Sequence, residues 1–279
     1  MLKVVPKLAS ITNSNSYILF PYINKGIFTV LKIAAQICLF ALGYSCFAQK
    51  DTNQFIVGDS IKGVDIIHTL DNGKSSSYKG DKGASFTLGQ IVATGPGGLT
   101  RLLNEDTSTE LRLGSNTVLQ WKSSNEFQLF EGSILLCKQN EDNLLISSVS
   151  GSAEIIGECS FIAESTSNGG YKFICLSGKP ILKTNSGETK IPAGRLVLVL
   201  GETNALGNAY DIDLLLLLKS SLLINAFEEP PATMSKIGLA VYSQQLKLKN
   251  KYNALIGDAP TDKNLQMWVL GSSQNKKTE

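Results

Sequence analysis

TGPGGLTRLLNEDTSTELRLGSNTVLQW, running from Thr94 to Trp121, decides the fold. Its opening run, Gly95-Pro96-Gly97-Gly98, suits a tight turn: Pro96 sets its own φ, and glycine reaches positive φ without a Cβ clash. Three short apolar runs follow, Leu99 to Leu103, Leu111 to Leu113 and Val118 to Trp121, parted by Asn104-Glu105-Asp106 and Gly114-Ser115-Asn116. This spacing predicts a strand, turn, strand, turn, strand meander, with Gly98 as the position that requires positive φ.

Working outward, the same texture continues on both sides. Upstream, Phe55 to Val57 and Val64 to His68 read as strands, Asp71-Asn72-Gly73-Lys74 as a turn and Ser75 to Ala84 as a polar loop, before Phe86 to Val92 climbs into the glycine turn. Downstream, Phe127 to Phe130 is expected to turn at Glu131-Gly132 into Ser133 to Leu136. Further runs cover Asn143 to Ser148, Ala153 to Gly157, Ser160 to Glu164, Tyr171 to Leu176, Pro180 to Thr184 and Arg195 to Leu200. Short strands at even spacing, bounded by Gly, Asn, Ser or Pro, predict a mainly β domain: a β-sandwich or jelly-roll-like meander of short antiparallel strands.

The central stretch resembles the heart of the FecR-like domain, whose signature passes from a threonine-glycine turn through an acidic turn to an "L-x-L-x-x-N-[ST]-x-L" strand pair. Thr94-Gly95, Asp106, Leu111, Leu113, Asn116, Thr117 and Leu119 occupy those positions. The approach from Gly89 to Gly95 resembles the family's "G-x-x-[IV]-x-T-G" step, and Leu129 to Ile134 its "L-x-x-G-x-[IVL]" element. The likeness spans Asp59 to Gly201 and departs from the family at Gly157-Glu158, where glycine-threonine is usual ahead of an aromatic; Phe161 keeps the aromatic. The resemblance implies a bacterial periplasmic β domain and no reaction. Full-length family members relay signals from outer-membrane transducers to a cytoplasmic sigma factor through an N-terminal cytoplasmic domain and a transmembrane helix. Here 24 residues precede the basic and apolar segment, too few to fold an anti-sigma domain, so the expectation is the exported module without that region.

The character of the chain changes at Ala209. Asp211 or Asp213 can cap a helix from Asp213 to Phe227, ended by Glu228-Glu229 before Pro230-Pro231. Ile237, Val241, Leu248, Tyr252 and Leu255 mark one face of a second helix, with Lys236, Lys247, Lys249 and Lys251 on the far side. The two are expected to form an α-helical hairpin over the β domain. The tail holds Asn264 to Leu270, a short amphipathic or β-like piece. The expected division is 1–48 for an N-terminal extension and signal, 49–205 for the β domain, 209–257 for the helical hairpin and 258–279 for the tail.

The 279 residues are 43% hydrophobic and 18% charged, a composition that can fill a core. Lys25 to Ala48 reads as a basic flank, an apolar run and a small-residue exit, with Cys46 and Ala48 where a signal peptidase would inspect before Gln49. Cleavage and export to the periplasm is the preferred reading. A retained inner-membrane anchor is the alternative, reached by adding Ile27 to Leu31 and letting Lys32 snorkel, and a lipoprotein at Cys46 is disfavoured by the bulky Tyr44. Of the 26 basic residues the first 48 positions hold four, Lys3, Lys7, Lys25 and Lys32, and no acid, which leaves 22 bases against 24 acids in the remainder. A net charge of −2 gives no electrostatic reason to bind nucleic acid. Cys137, Cys159 and Cys175 stand in apolar runs without C-x-x-C spacing and read as core thiols, with at most one disulfide among them in an oxidising periplasm.

The sequence offers little catalytic machinery. His68 is the one histidine, so a histidine-based metal cluster is excluded, and no G-x-S-x-G accompanies it. Gly73-Lys74-Ser75 resembles the end of a phosphate loop, but the glycine required five residues earlier would stand at His68. Glu105, Asp106 and Glu110 are read as solvated turn acids rather than a glycosidase pair or cation site. No catalytic, metal or cofactor-binding residue is therefore assigned and no cofactor is expected. The leading expectation is a non-enzymatic, monomeric binding or scaffolding module of the cell envelope, with an envelope or outer-membrane protein as its partner. A membrane-anchored sensor and a carbohydrate-binding or carbohydrate-active jelly roll are the alternatives.

Overall fold

A computed structural model of the chain describes residues 54–69, 75–104, 108–257 and 266–270. The signal segment, the Asp71 to Lys74 turn with the loop-like Gly73-Lys74, the acids Glu105 and Asp106, and the rest of the tail lie outside the described residues.

The strands in chain order are β1 (Gln54–Ile61), β2 (Asp65–Thr69), β3 (Ser75–Lys79), β4 (Ser85–Thr87), β5 (Ile91–Ala93), β6 (Leu99–Asn104), β7 (Thr109–Leu113), β8 (Val118–Ser123), β9 (Glu126–Glu131) and β10 (Ser133–Lys138). They continue as β11 (Leu144–Ser147), β12 (Ser152–Ile156), β13 (Cys159–Ser165), β14 (Tyr171–Gly178), β15 (Ile181–Thr184), β16 (Gly187–Lys190), β17 (Arg195–Val199) and β18 (Tyr210–Asp211). Helices α1 (Leu214–Ser220), α2 (Leu222–Asn225) and α3 (Met234–Leu248) follow, then the hairpin of β19 (Ala254–Gly257) and β20 (Gln266–Val269).

Two nine-stranded sheets face each other. Sheet A runs β18-β17-β14-β13-β10-β7-β6-β1-β4, and sheet B runs β16-β15-β12-β11-β9-β8-β5-β2-β3. Both orders follow the chain almost monotonically, because successive strand pairs alternate between the layers. The ladders are antiparallel apart from β11, which lies parallel to β9. The expected β-sandwich is therefore present, but two turns do different work from the expected hairpins. Gly114 to Thr117 carries the chain from sheet A to sheet B, and Glu131-Gly132 carries it back, so β9 and β10 lie in opposite layers rather than pairing. Ser75 to Lys79 is a fully exposed edge strand on β2, not a loop. Its pairing comes from the backbone of β2, which a serine-rich sequence does not announce.

One apolar core fills the space between the sheets, with Leu111, Leu113, Leu136 and Phe161 from sheet A meeting Leu119, Trp121, Leu129 and Ile146 from sheet B. A second core lies on the outer face of sheet A, where Leu135, Cys137, Ile162, Ile174 and Leu196 meet Leu214, Leu217, Ile224, Ile237 and Val241 of the helical layer. Double coverage explains why β10, Ser-Ile-Leu-Leu-Cys-Lys, is buried at every position.

The helical layer differs from a simple hairpin. Asp213 caps α1 as expected, its carboxylate accepting from the Leu216 N–H at 3.0 Å. The expected helix to Phe227 breaks at Ser221, which is extended (φ −74°, ψ 121°) and ends one helix while starting the next. The break turns Leu223, Ile224 and Phe227 onto sheet A, leaving Leu216 and Leu222 at the surface. Helix α3 stops at Leu248 because Lys249 and Asn250 take φ of +49° and +63°. Tyr252 and Leu255 thus lie beyond it, the latter in β19.

Candidate functional site

Of the FecR-like positions, Thr94-Gly95 and Asn116-Thr117 are gathered at one end of the sandwich, where three crossings between sheets meet. Thr94 Oγ1 donates to the Gly114 carbonyl at 2.5 Å and accepts from the Thr117 N–H at 2.9 Å. Thr117 Oγ1 repeats the device with Ser133, donating to its carbonyl at 3.1 Å and accepting from its N–H at 3.0 Å. Two buried hydroxyls thus join the β5–β6, β7–β8 and β9–β10 crossings. The glycine turn closes with the Gly98 N–H on the Gly95 carbonyl at 2.9 Å, and the Asn116 N–H reaches the same carbonyl at 3.2 Å. With Pro96 at its second position and positive φ (+67°) at Gly97, this is a type II turn. The strained position is Gly97 rather than the expected Gly98. These residues are structural, and Leu111, Leu113 and Leu119 beside them are core.

A buried charge cluster ties the helical layer to sheet A. Leu111 and Leu113 point into the sandwich, so Glu110 and Arg112 point outward, and both are almost fully buried under the helices (1% and 0% exposed). Arg112 Nε donates to Glu110 Oε1 at 2.7 Å. Its Nη1 donates to the Leu223 and Ile224 carbonyls at 3.2 and 3.1 Å, and Nη2 to the Glu229 carbonyl at 2.8 Å. The Phe227 ring lies 5.0 Å from the guanidinium carbon. Glu110 also receives Arg101 Nε at 2.9 Å and the Ala232 N–H at 2.5 Å, while Arg101 reaches Glu229 at 2.6 Å. The expectation that Glu110 is solvated is therefore overturned. Alternation along β7 does place it on the outer face, but that face carries a second layer. On α3, buried Gln244 plays a similar part, donating to the Gly194 and Ile212 carbonyls and accepting from the Leu214 N–H.

The other end of the sandwich opens into a cavity of ≈ 550 Å³, with Phe55, Trp121 and Phe127 as aromatic wall and Asn125, Asn140 and Asn143 at its rim. Trp121 meets Phe55 edge-on at 5.1 Å and stacks on Phe127 at 5.9 Å. Lys138 Nζ donates to the Asn140 and Gly157 carbonyls at 2.7 and 2.8 Å, and burial pushes its pKa below the ordinary lysine value. On the opposite side of the molecule's second core, α3 presents Leu239, Tyr242 and Leu246 to solvent, 67%, 61% and 63% exposed, at i, i+3 and i+7.

His68 stands in β2 opposite Ser76. Among the described residues, no group of three or more His, Cys, Asp or Glu side chains is placed to hold a metal ion, and no helix is long and apolar enough to cross a membrane. Cys137, Cys159 and Cys175 are buried free thiols, as their apolar contexts indicated. Burial raises all three pKa values, that of Cys159 to about 12. Arg112, Lys138, Asn140 and Gln244 were not singled out in the sequence. Only the Glu110-x-Arg112 alternation signalled any of them.

The fold and its surfaces define a three-layer β-sandwich module with a helical sheath. No protein-family profile matches the chain, and no curated protein does. Among solved structures it is similar to two crystal structures of an anti-sigma factor candidate from Parabacteroides distasonis, at 10% and 12% identity and TM-scores of 0.35 and 0.34. Each match covers 42% of this chain and 57% of the other, so the chain spans little more than half the length of those relatives.

Proposed function

We propose that this chain is an exported, non-enzymatic FecR-like module that binds or scaffolds a protein partner in the bacterial envelope, in a signalling-related role. The observation carrying this reading is the outer face of α3. Leu239, Tyr242 and Leu246 form an apolar stripe on the solvent side, although the opposite side of the same helix is fully used by Ile237, Val241 and Gln244. Helix α3 is held in place from beneath, since Gln244 binds three backbone groups and the Glu110–Arg112 pair fixes the segment leading into it. A rigid helix with exposed aliphatic and aromatic anchors, flanked by Lys247 and by Lys236, which pairs with Glu158, suits an apolar groove on a partner. The Thr94-Gly95 and Asn116-Thr117 positions add support for the FecR-like reading, because they act together as one turn cluster.

The test is photo-crosslinking in the producing cell, with the reactive side chain placed at Leu239 or Leu246 and, as control, at Lys183 on the far sheet. The reading expects one envelope protein of constant mass joined from the helix positions and not from Lys183, in a chain whose N-terminus is Gln49. Loss of that adduct, together with a chain held in the cytoplasm, overturns it. A chain that retains Lys25 to Ala48 in the membrane fraction favours the anchored sensor instead.

A further inference from the structure

Beside the exposed stripe of α3 runs a groove of ≈ 740 Å³, and every residue lining it lies within the described stretch 108–257. One wall is the helix itself, where Lys236, Ala240, Ser243 and Lys247 follow at spacings of four, three and four and so share one face. At about 1.5 Å of rise per residue, that face is about 16 Å long. The opposite wall is built from Gly178-Lys179 after β14, Pro192-Ala193 ahead of β17, and Arg195 with Asp211 across the β17–β18 pair. The groove is preformed. Buried Gln244 donates from α3 to the Gly194 and Ile212 carbonyls at 3.2 and 2.6 Å, and a Cβ at Gly194 would strike the Gln244 amide, so the helix is seated as closely as glycine permits.

Its charge is one-sided. Lys179, Arg195, Lys236 and Lys247 line it, against the single acid Asp211. Two of these cations are already neutralised, Arg195 by Asp211 at 3.0 Å and Lys236 by Glu158. Lys179 on the sheet wall and Lys247 on the helix wall are exposed and have no ion-pair partner among the described residues. This local excess of two positive charges stands in a chain that carries 22 bases against 24 acids from residue 49 onward, so it is a property of the groove and not of the whole surface.

The lining narrows the class of occupant. Pro192, Ala193, Leu239, Ala240 and Leu248 offer an apolar floor and sides, while a carboxylate carried beside an apolar side chain would meet Lys179 and Lys247. A basic segment would be repelled there, and a neutral one would cover both ammonium groups without a counter-charge. Leu239 belongs both to the groove and to the exposed stripe, so a body that closes over Leu239, Tyr242 and Leu246 also reaches the groove. We propose that the groove receives an acidic segment of the envelope partner, one that sets carboxylates on either side of an apolar anchor. The inference rests on the partner reading of α3 and adds the chemistry of what that partner presents.

The experiment is crosslinking of the full chain in the producing cell, with the reactive side chain at Ser243 inside the groove or at Leu239 on the stripe. Each is placed in three charge backgrounds: Lys179→Glu with Lys247→Glu, Lys179→Arg with Lys247→Arg, and Lys62→Glu with Lys82→Glu. The last pair is exposed at the β1–β4 end of sheet A, the opposite end from β17 and β18, and controls for net charge. All of these lysines are exposed, so the melting temperature should stay at that of the parent in every background. Ser243 and Leu239 are expected to join the same protein. The groove glutamates should cut both adducts by about tenfold, while the arginines and the control pair leave them unchanged. Adducts that survive the groove glutamates, or fall equally in the control pair, overturn the inference and leave the partner reading standing. A Leu239 adduct with none from Ser243 does the same. An adduct at twice the mass of the chain places a second copy in the groove and overturns it too, and no adduct from either position ends the partner reading and this inference together.

Discussion

Arg112 and Glu110 stand two residues apart on β7, with Nε and Oε1 2.7 Å apart and both side chains shut away from water between sheet A and the helical layer. An ion pair so placed loses hydration on both partners, and it is retained because each group is also bound to backbone. The arginine takes three carbonyls and the carboxylate takes the Ala232 N–H. Removing Arg112 leaves buried Glu110 with only Arg101 and the Ala232 N–H and takes the donor from three carbonyls, so Arg112→Ala should destabilise by about 3–5 kcal/mol. Exchanging both for apolar residues, Glu110→Leu with Arg112→Met, should cost much less than the single change. Denaturant titration of the two variants checks this. Equal losses would mean that the pair is not the element holding the layer.

Glycine is required most stringently at Gly132, between β9 and β10. Its φ is +85°, and an added Cβ would stand on the Cα and Oγ1 of Thr117. Gly132→Ala should therefore lose the Thr117–Ser133 hydrogen bonds as well as the glycine conformation, and cost about 3 kcal/mol or more. Gly97 takes φ of +67° at the third position of its type II turn, so Gly97→Ala should cost about 1 kcal/mol and Gly97→Asn less. Melting temperatures in that order support the assignment; the reverse order contradicts it.

Alkaline pH should reveal the three thiols. Burial raises their pKa above the ordinary value of 9.0, Cys159 to about 12, so the folded chain keeps protons that the unfolded chain releases. The stabilisation is fully present below pH 9 and is lost as pH climbs toward 12, at up to about 1.4 kcal/mol per pH unit for each thiol. Unfolding free energy should be level near pH 8 and fall above 9, and the fall should be shallower when all three are replaced by alanine. In native protein at pH 8 the thiols should resist a disulfide reagent until denaturant is added. Prompt native reaction of all three would place them outside the core.

Much of this architecture is legible in the chain because β-turn chemistry is local. Asp213 as a cap, Gly95-Pro96-Gly97-Gly98 as a turn and the alternation along β7 each depend on neighbours in sequence. What escapes is which layer a turn delivers its strand to. Glu131-Gly132 suits a hairpin as well as a crossing, and the choice is made by Thr117, sixteen residues earlier, through its bonds to Ser133. Glu110 reads as solvated for the same reason, since the cover over it comes from residues more than a hundred positions away. The break at Ser221 is likewise invisible in a run of leucines, because carbonyls bound by Arg112 help fix it.

The helical layer separates a structural face from a docking face, and two substitutions can tell them apart. Leu217 on α1 is completely buried against the outer face of sheet A, and placing a carboxylate there strands a charge among Leu135, Ile162 and their neighbours. Leu217→Asp should therefore unfold the layer, lowering stability by about 3 kcal/mol or more. Leu239 and Leu246 project from α3 into solvent, so Leu239→Asp with Leu246→Asp should leave stability within about 0.5 kcal/mol of the parent. Light scattering on the parent is expected to give a monomer, because the inner faces of α1, α2 and α3 are already covered. A dimer that the Leu239 and Leu246 pair of changes converts to a folded monomer would show instead that the stripe is closed by a second copy of the chain, and the search for an envelope partner on that face would end there.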